Sequence, residues 1–162
     1  QSLMAVFRDN SRGGFLYRSF STNDGRSWSD PIQTNFPDAT SKISGLRLSD
    51  GRYVMVSNPN PKKRDPLTLS ISEDVRVFSK MLFLVGGRWI DYPHVIEHDG
   101  CLFIAFAGGK QSVEVLKVNL SDVDATQMPK TPLLVPMELE AKPAKSLKSS
   151  CHGRSTRVHR PA

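Results

Sequence analysis

Short apolar runs recur along residues 3–118, and most end at a pair of turn-forming residues. Leu3-Met4-Ala5-Val6-Phe7 predicts a first strand, ended by Arg8-Asp9-Asn10 and turned by Gly13-Gly14. Residues 15–20 and 31–35 predict the next two. Ile43-Ser44-Gly45-Leu46-Arg47-Leu48 alternates with period two up to Asp50-Gly51, and residues 52–56 run back. Alternating runs around Asp-Gly are a hairpin signal, because both residues tolerate the positive φ of a tight turn. Strands are also predicted at residues 67–72, 81–85, 94–98, 101–106 and 112–118, with Asp99-Gly100 and Gly108-Gly109 as turns. Helical periodicity is absent except for a short turn near residues 121–124. Pro129, Pro132, Pro136 and Pro143 then read as a linker. The pattern predicts an all-β, antiparallel protein, ordered over residues 1–120 and followed by a linker and tail over residues 121–162.

The strongest local signal is Ser21-Thr22-Asn23-Asp24-Gly25-Arg26-Ser27-Trp28. Asn and Asp side chains bond nearby backbone, Gly takes positive φ, and Trp returns the chain to apolar surroundings. Ser72-Glu73-Asp74-Val75-Arg76-Val77-Phe78 reads as a decayed copy, 51 residues on, with Val75 for the Gly and Phe78 for the Trp. Asp50-Gly51 and Asp99-Gly100 lie 49 residues apart in the same setting. A repeat of about 50 residues with four short strands marks a β-propeller blade. One blade, about residues 42–86, is complete on this reading. Part of another precedes it and most of one follows, which predicts a partial β-propeller with four-stranded antiparallel blades. The open sheet edges this leaves, and the start on Gln1-Ser2-Leu3, suggest a fragment of a longer protein.

Composition changes this picture little. The net charge is +6, and Lys142, Lys145, Lys148, Arg154, Arg157 and Arg160 supply all of it within residues 141–162, leaving the body balanced. Such a tail is expected to be disordered. It gives no reason to expect nucleic acid as a partner. No apolar run approaches the length of a membrane helix. Cys101, in an apolar run, reads as a small buried hydrophobe, and Cys151 lies in the tail, so no disulfide framework is expected. His94 and His98 share a strand face with no third ligand nearby, so no metal is expected, and no phosphate-cradling loop suggests a cofactor. The compartment is not legible.

The turn at residues 21–28 resembles the Asp box, or BNR repeat, of pattern Ser-x-Asp-x-Gly-x-Thr-Trp, with Asn23 in the third place and Ser27 for the Thr. Its context is Phe7-Arg8-Asp9, the box, Leu48-Ser49-Asp50-Gly51-Arg52, Asn58, Arg64-Asp65-Pro66-Leu67 and Tyr92-Pro93. This order is similar to the sialidase (neuraminidase) superfamily, in particular its bacterial exo-α-sialidase-like branch. The resemblance implies about half of a six-bladed propeller and the removal of terminal sialic acid from sialylated glycans. It also implies a structural role for Ser21, Asn23, Asp24, Gly25 and Trp28, on hairpins far from the site.

Sialic acid carries a carboxylate on its anomeric carbon. Planar guanidinium groups bind carboxylate bidentately, which explains the family's arginine cluster. An anionic nucleophile would be repelled there, so the family uses a Tyr activated by a Glu, with an Asp as acid/base. The resemblance carries this to Arg8 and Arg64 as carboxylate-binding residues and to Tyr92 as nucleophile. Each also has a structural reading: Arg8 and Arg64 as surface residues, and Tyr92 as an aromatic packed on Pro93. The chain departs from the pattern in three ways. No Glu precedes Arg64, which leaves Glu97 or Asp91 as activator. The acid/base Asp and the first arginine belong to an earlier half of the propeller. Val75 breaks the second box. The chain by itself is expected to be catalytically incomplete. Two alternatives stand beside this: a non-catalytic Asp-box propeller that binds glycan or protein, and a fructosidase-like glycosidase suggested by Arg64-Asp65-Pro66.

Overall fold

A computed structural model describes residues 2–126. The expected basic tail lies outside the described residues. Ten strands form in chain order: β1 (Leu3–Phe7), β2 (Phe15–Ser21), β3 (Ile32–Pro37), β4 (Ser44–Arg47), β5 (Tyr53–Ser57), β6 (Leu67–Ser72), β7 (Phe78–Val85), β8 (Ile90–His98), β9 (Cys101–Gly108) and β10 (Ser112–Asn119). They build three antiparallel sheets, ordered β1-β2-β3, β4-β5-β6-β7 and β10-β9-β8. Each run predicted from the pattern contains a strand. β8 begins at Ile90, earlier than its apolar alternation, because Asp91 and Tyr92 interrupt the period.

The internal repeat has a structural counterpart. The Asp50-Gly51 hairpin joins β4 to β5, and Asp99-Gly100 joins β8 to β9. The turn at residues 21–28 joins β2 to β3, and that at residues 73–77 joins β6 to β7. By these turns β1-β2-β3 corresponds to β5-β6-β7, and β8-β9-β10 to β4-β5-β6.

The main core lies between the second and third sheets. Val54 and Val56 of β5 and Leu67, Leu69 and Ile71 of β6 face Val95 of β8 and Leu102, Ile104 and Phe106 of β9. Every residue of β6 is buried. Its leucines and isoleucine fill this core, while Thr68, Ser70 and Ser72 occupy the other face. Full burial of one such aliphatic side chain contributes about 1.5–3 kcal/mol. The predicted turn near residues 121–124 is helix α1 (Leu120–Ala125), which seats Val123 in the same core. Arg52 ties this helix to the β4–β5 hairpin by bonding both Asp124 and Asp50. The first and second sheets meet through an edge-on contact of Phe36 with Phe78, centroids 5.7 Å apart.

Register separates the two ends of the sheets. Leu3 pairs with Ser21 and Phe7 with Tyr17, so Arg8 leaves β1 at the end opposite the 21–28 turn. Ser72 pairs with Tyr53 and Phe78, so the Asp50-Gly51 hairpin and the second turn share one end of their sheet. Arg64 precedes Leu67 at the other end. The amide of Ile90 donates to the Arg64 carbonyl at 3.0 Å, which brings the start of β8 to that same end.

Candidate functional site

The turn at residues 21–28 is closed by its own side chains. Ser21 Oγ accepts from the Gly25 amide at 2.9 Å and donates to Asn23 Oδ1 at 3.0 Å. Asn23 Oδ1 accepts from the Ser27 amide at 2.9 Å, and Asn23 Nδ2 donates to Ser27 Oγ at 2.8 Å. Trp28 Nε1 donates to the Gly25 carbonyl at 3.0 Å. Asp24 and Gly25 both have positive φ, 58° and 82°. Glycine suits that region because it has no Cβ to meet the carbonyl. All these bonds lie within the turn.

The second turn keeps the logic with one residue fewer. Asp74 Oδ1 accepts from the amides of Arg76 at 2.8 Å and Val77 at 2.9 Å. Those amides, with that of Val77 first, hold the Asp74 carboxyl below its ordinary pKa. Val75 takes φ 65°, the left-handed conformation, with a β-branched side chain.

At the opposite end the chain gathers Arg64, Trp89, Asp91 and Tyr92. Asp91 has no solvent exposure. One of its oxygens accepts from Arg64 Nη1, and the other from Trp89 Nε1 at 2.5 Å. Arg64 Nη2 donates to the Thr40 carbonyl at 2.9 Å. The guanidinium carbon lies 5.5 Å from the Trp89 ring centroid and 6.0 Å from that of Tyr92. Burial works against the Arg64 charge, but Asp91 first and Tyr92 second hold its pKa above the ordinary value. The result is a cation fixed in direction, flanked by two aromatic rings that are each about half exposed, 47% for Trp89 and 50% for Tyr92. Two of the five guanidinium N–H groups are committed to Asp91 and Thr40, and the fork has further donors for an incoming anion.

Tyr92 is placed by backbone irregularity. The β8–β9 register shifts between Asp91 and His94, and Tyr92 takes φ 53° just before Pro93. A bulge redirects side chains, and a bulky residue at positive φ is strained by about 1–3 kcal/mol. Strain of this kind persists only where the surroundings over-determine it, here through buried Asp91 and Pro93 on either side.

Loops from the first sheet support Arg64. The buried Asp38 carboxylate accepts from the Asp9 amide at 2.7 Å and the Thr40 amide at 2.8 Å. Thr40 Oγ1 donates to the Asp9 carbonyl at 3.2 Å. Thr40 takes φ 54°, and its own carbonyl receives Arg64. Asp65 accepts from Lys63 Nζ and the Gly87 amide, both at 2.9 Å. Lys63 first, then that amide, keep its pKa low. Asp65 thereby closes its loop.

Of the residues singled out from the sequence, Arg64 and Tyr92 come together. Arg8 leaves β1 at the same end, but it is exposed and makes no hydrogen bond, ion pair or ring contact with either. The five residues of the 21–28 turn lie at the other end. Glu97, one of two carboxylates considered as partner of Tyr92, also lies at the turn end, where it accepts from the Ser49 amide at 2.7 Å and hydroxyl at 2.6 Å. Asp91 is at the site, but both its oxygens serve Arg64 and Trp89. Trp89, Asp38 and Thr40 escaped the sequence reading. For Trp89 a signal existed, namely an aromatic two residues from an acid beside Tyr92.

The BNR repeat-like domain family matches residues 1–104, and the chain belongs to that family. Comparison with curated proteins found no match.

Proposed function

We propose that the three sheets are blades of a sialidase-like β-propeller and that Arg64 receives the carboxylate of a terminal sialic acid on a glycan. The observation that carries this reading is the directed guanidinium of Arg64, held by buried Asp91 and flanked by Trp89 and Tyr92. Family membership supports it, as does the stacking of sheets that repeat the same turns. The 21–28 turn is then the Asp box of its blade, and Arg8 is a second, more loosely held cation at the rim. Tyr92 is the nucleophile of the hydrolytic form of this proposal. Its oxygen would bond to the anomeric carbon as the glycosidic bond breaks, and the departing oxygen would take a proton from an acid. Water would then release the sugar.

One observation favours the binding-only alternative. The carboxylates at this end, Asp9, Asp38, Asp65 and Asp91, are each engaged in structural hydrogen bonds. Turnover would need a base for Tyr92 and an acid for the leaving group from outside the described residues.

The test is calorimetric titration of the protein with N-acetylneuraminic acid, paired with release of 4-methylumbelliferone from its sialoside. Arg64→Lys keeps the charge but loses the planar fork. It is expected to weaken binding at least about tenfold. Tyr92→Phe is expected to retain binding and abolish release. Binding without release in the wild type selects the non-catalytic propeller. Neither binding nor release, or Arg64→Lys indistinguishable from wild type, defeats the assignment.

A further inference from the structure

A second site lies between the first and second sheets, away from Arg64. A cavity of about 300 Å³ opens there, with apolar walls that include Met4, Val6, Leu16 and Met55. That volume is at the small end of ligand pockets. Two cations, Arg18 of β2 and Arg76 of the 73–77 turn, also line it.

The arginines are brought close. Arg18 Nη1 donates to the Arg76 carbonyl at 3.0 Å. Their guanidinium carbons lie 5.5 Å and 5.8 Å from the centroid of one ring, Phe20. Among the described residues neither forms an ion pair with an acid, and the cavity lining contains no acid. Asp74, the nearest acid in the chain to Arg76, spends Oδ1 on the amides of its own turn. Arg18 Nε is buried with no hydrogen-bond partner. A buried N–H without an acceptor is costly, and two like charges sharing one ring repel each other. An oxyanion between the two guanidinium groups would relieve that repulsion, and guanidinium forks suit its paired oxygens.

We propose that this cavity binds a small amphiphilic organic anion. Its carboxylate or sulfate head sits between Arg18 and Arg76, and its apolar body lies against Met4, Val6, Leu16 and Met55. The site is independent of the sialic acid reading, since it shares no residue with the Arg64 cluster.

The test is titration of the full chain, followed by amide shifts in NMR, with hexanoate, hexyl sulfate, hexanol and inorganic sulfate. Saturable binding of hexanoate or hexyl sulfate is expected, with shifts at Phe20 and Arg76, and the stronger of the two identifies the preferred head. Hexanol and inorganic sulfate are each expected to bind at least about tenfold more weakly. Arg76→Gln changes an exposed side chain and is expected to leave the far-UV spectrum unchanged while weakening the organic anion at least about tenfold. Arg64→Lys is expected to leave this binding unaltered. Absence of saturable anion binding, hexanol binding as tightly, inorganic sulfate binding as tightly, or no effect of Arg76→Gln would overturn the proposal.

Discussion

Arg64 and Asp91, 27 residues apart in the chain, form an ion pair whose carboxylate is fully buried and whose guanidinium side chain is 18% exposed. The pair joins the loop before β6 to the start of β8, and so fastens the second sheet to the third. Trp89 satisfies the second carboxylate oxygen, which leaves Asp91 no acceptor for solvent to serve.

Breaking such a pair from one side is costly, because Arg64 loses its counter-charge and residue 91 is fully buried, out of reach of compensating solvent. Asp91→Asn places an amide N–H₂ against a donor, either Arg64 or Trp89. It is expected to lower stability by about 3 kcal/mol. Urea denaturation checks this. A loss below about 1 kcal/mol would show that water or a rotated Arg64 compensates.

The 21–28 turn depends on Ser21 Oγ, which accepts one amide at 2.9 Å and a second, that of Asn23, at 3.4 Å. Ser21→Ala removes the one acceptor that serves both amides from a buried position and is expected to cost about 1–2 kcal/mol. The turn and Arg64 lie at opposite ends of the strands, so sialic acid binding should be unchanged. Loss of binding in a folded Ser21→Ala variant would mean that the two ends are coupled.

Val75 carries a β-branched side chain at φ 65°. That conformation costs an L-residue roughly 1–2 kcal/mol, and glycine avoids it at an entropic cost of about 0.5–1 kcal/mol. Val75→Gly is therefore expected to be neutral or to stabilise by up to about 1 kcal/mol, a rise in Tm of about 3 °C. Calorimetry decides. A fall in Tm would show that Val75 packing outweighs backbone strain.

Acid stability follows from the turn carboxylates. Asp9, Asp65 and Asp74 all have pKa values lowered from 3.8: Asp9 chiefly by the Ser11 hydroxyl, Asp65 by Lys63 and Asp74 by the Val77 amide. A carboxyl depressed in the folded state contributes fully above its unfolded value. That contribution fades as pH falls from 3.8 through the folded value. Stability is expected to be flat in this respect above pH 3.8 and to decline below it. Asp74→Asn should make the decline shallower. An acid limb identical to that of wild type would remove Asp74 from this account.

The strands and hairpins were legible because their causes are local. Alternation in residues 43–48 and the positive-φ pairs Asp50-Gly51 and Asp99-Gly100 need only near neighbours to form a hairpin. The repeat of the 21–28 turn at residues 72–78 was legible for the same reason, even with Val75 in a position glycine would fill. Tyr92 and Arg64 were reached through family resemblance, not through any pattern that joins them.

Sequence alone determined the all-β class, the ten strands and the self-bonded turns, since backbone sterics and short-range hydrogen bonds suffice for each. Tertiary structure decided which end of the strands each residue occupies. It placed Glu97 beside Ser49 rather than beside Tyr92, and it set Asp91 beneath Arg64. It also brought Arg18 and Arg76, 58 residues apart, to one phenylalanine. Those outcomes depend on how whole sheets stack. Stacking is driven by buried apolar faces such as Val54, Leu69 and Ile104, whose non-directional attraction carries no local mark of which polar residues it will bring together.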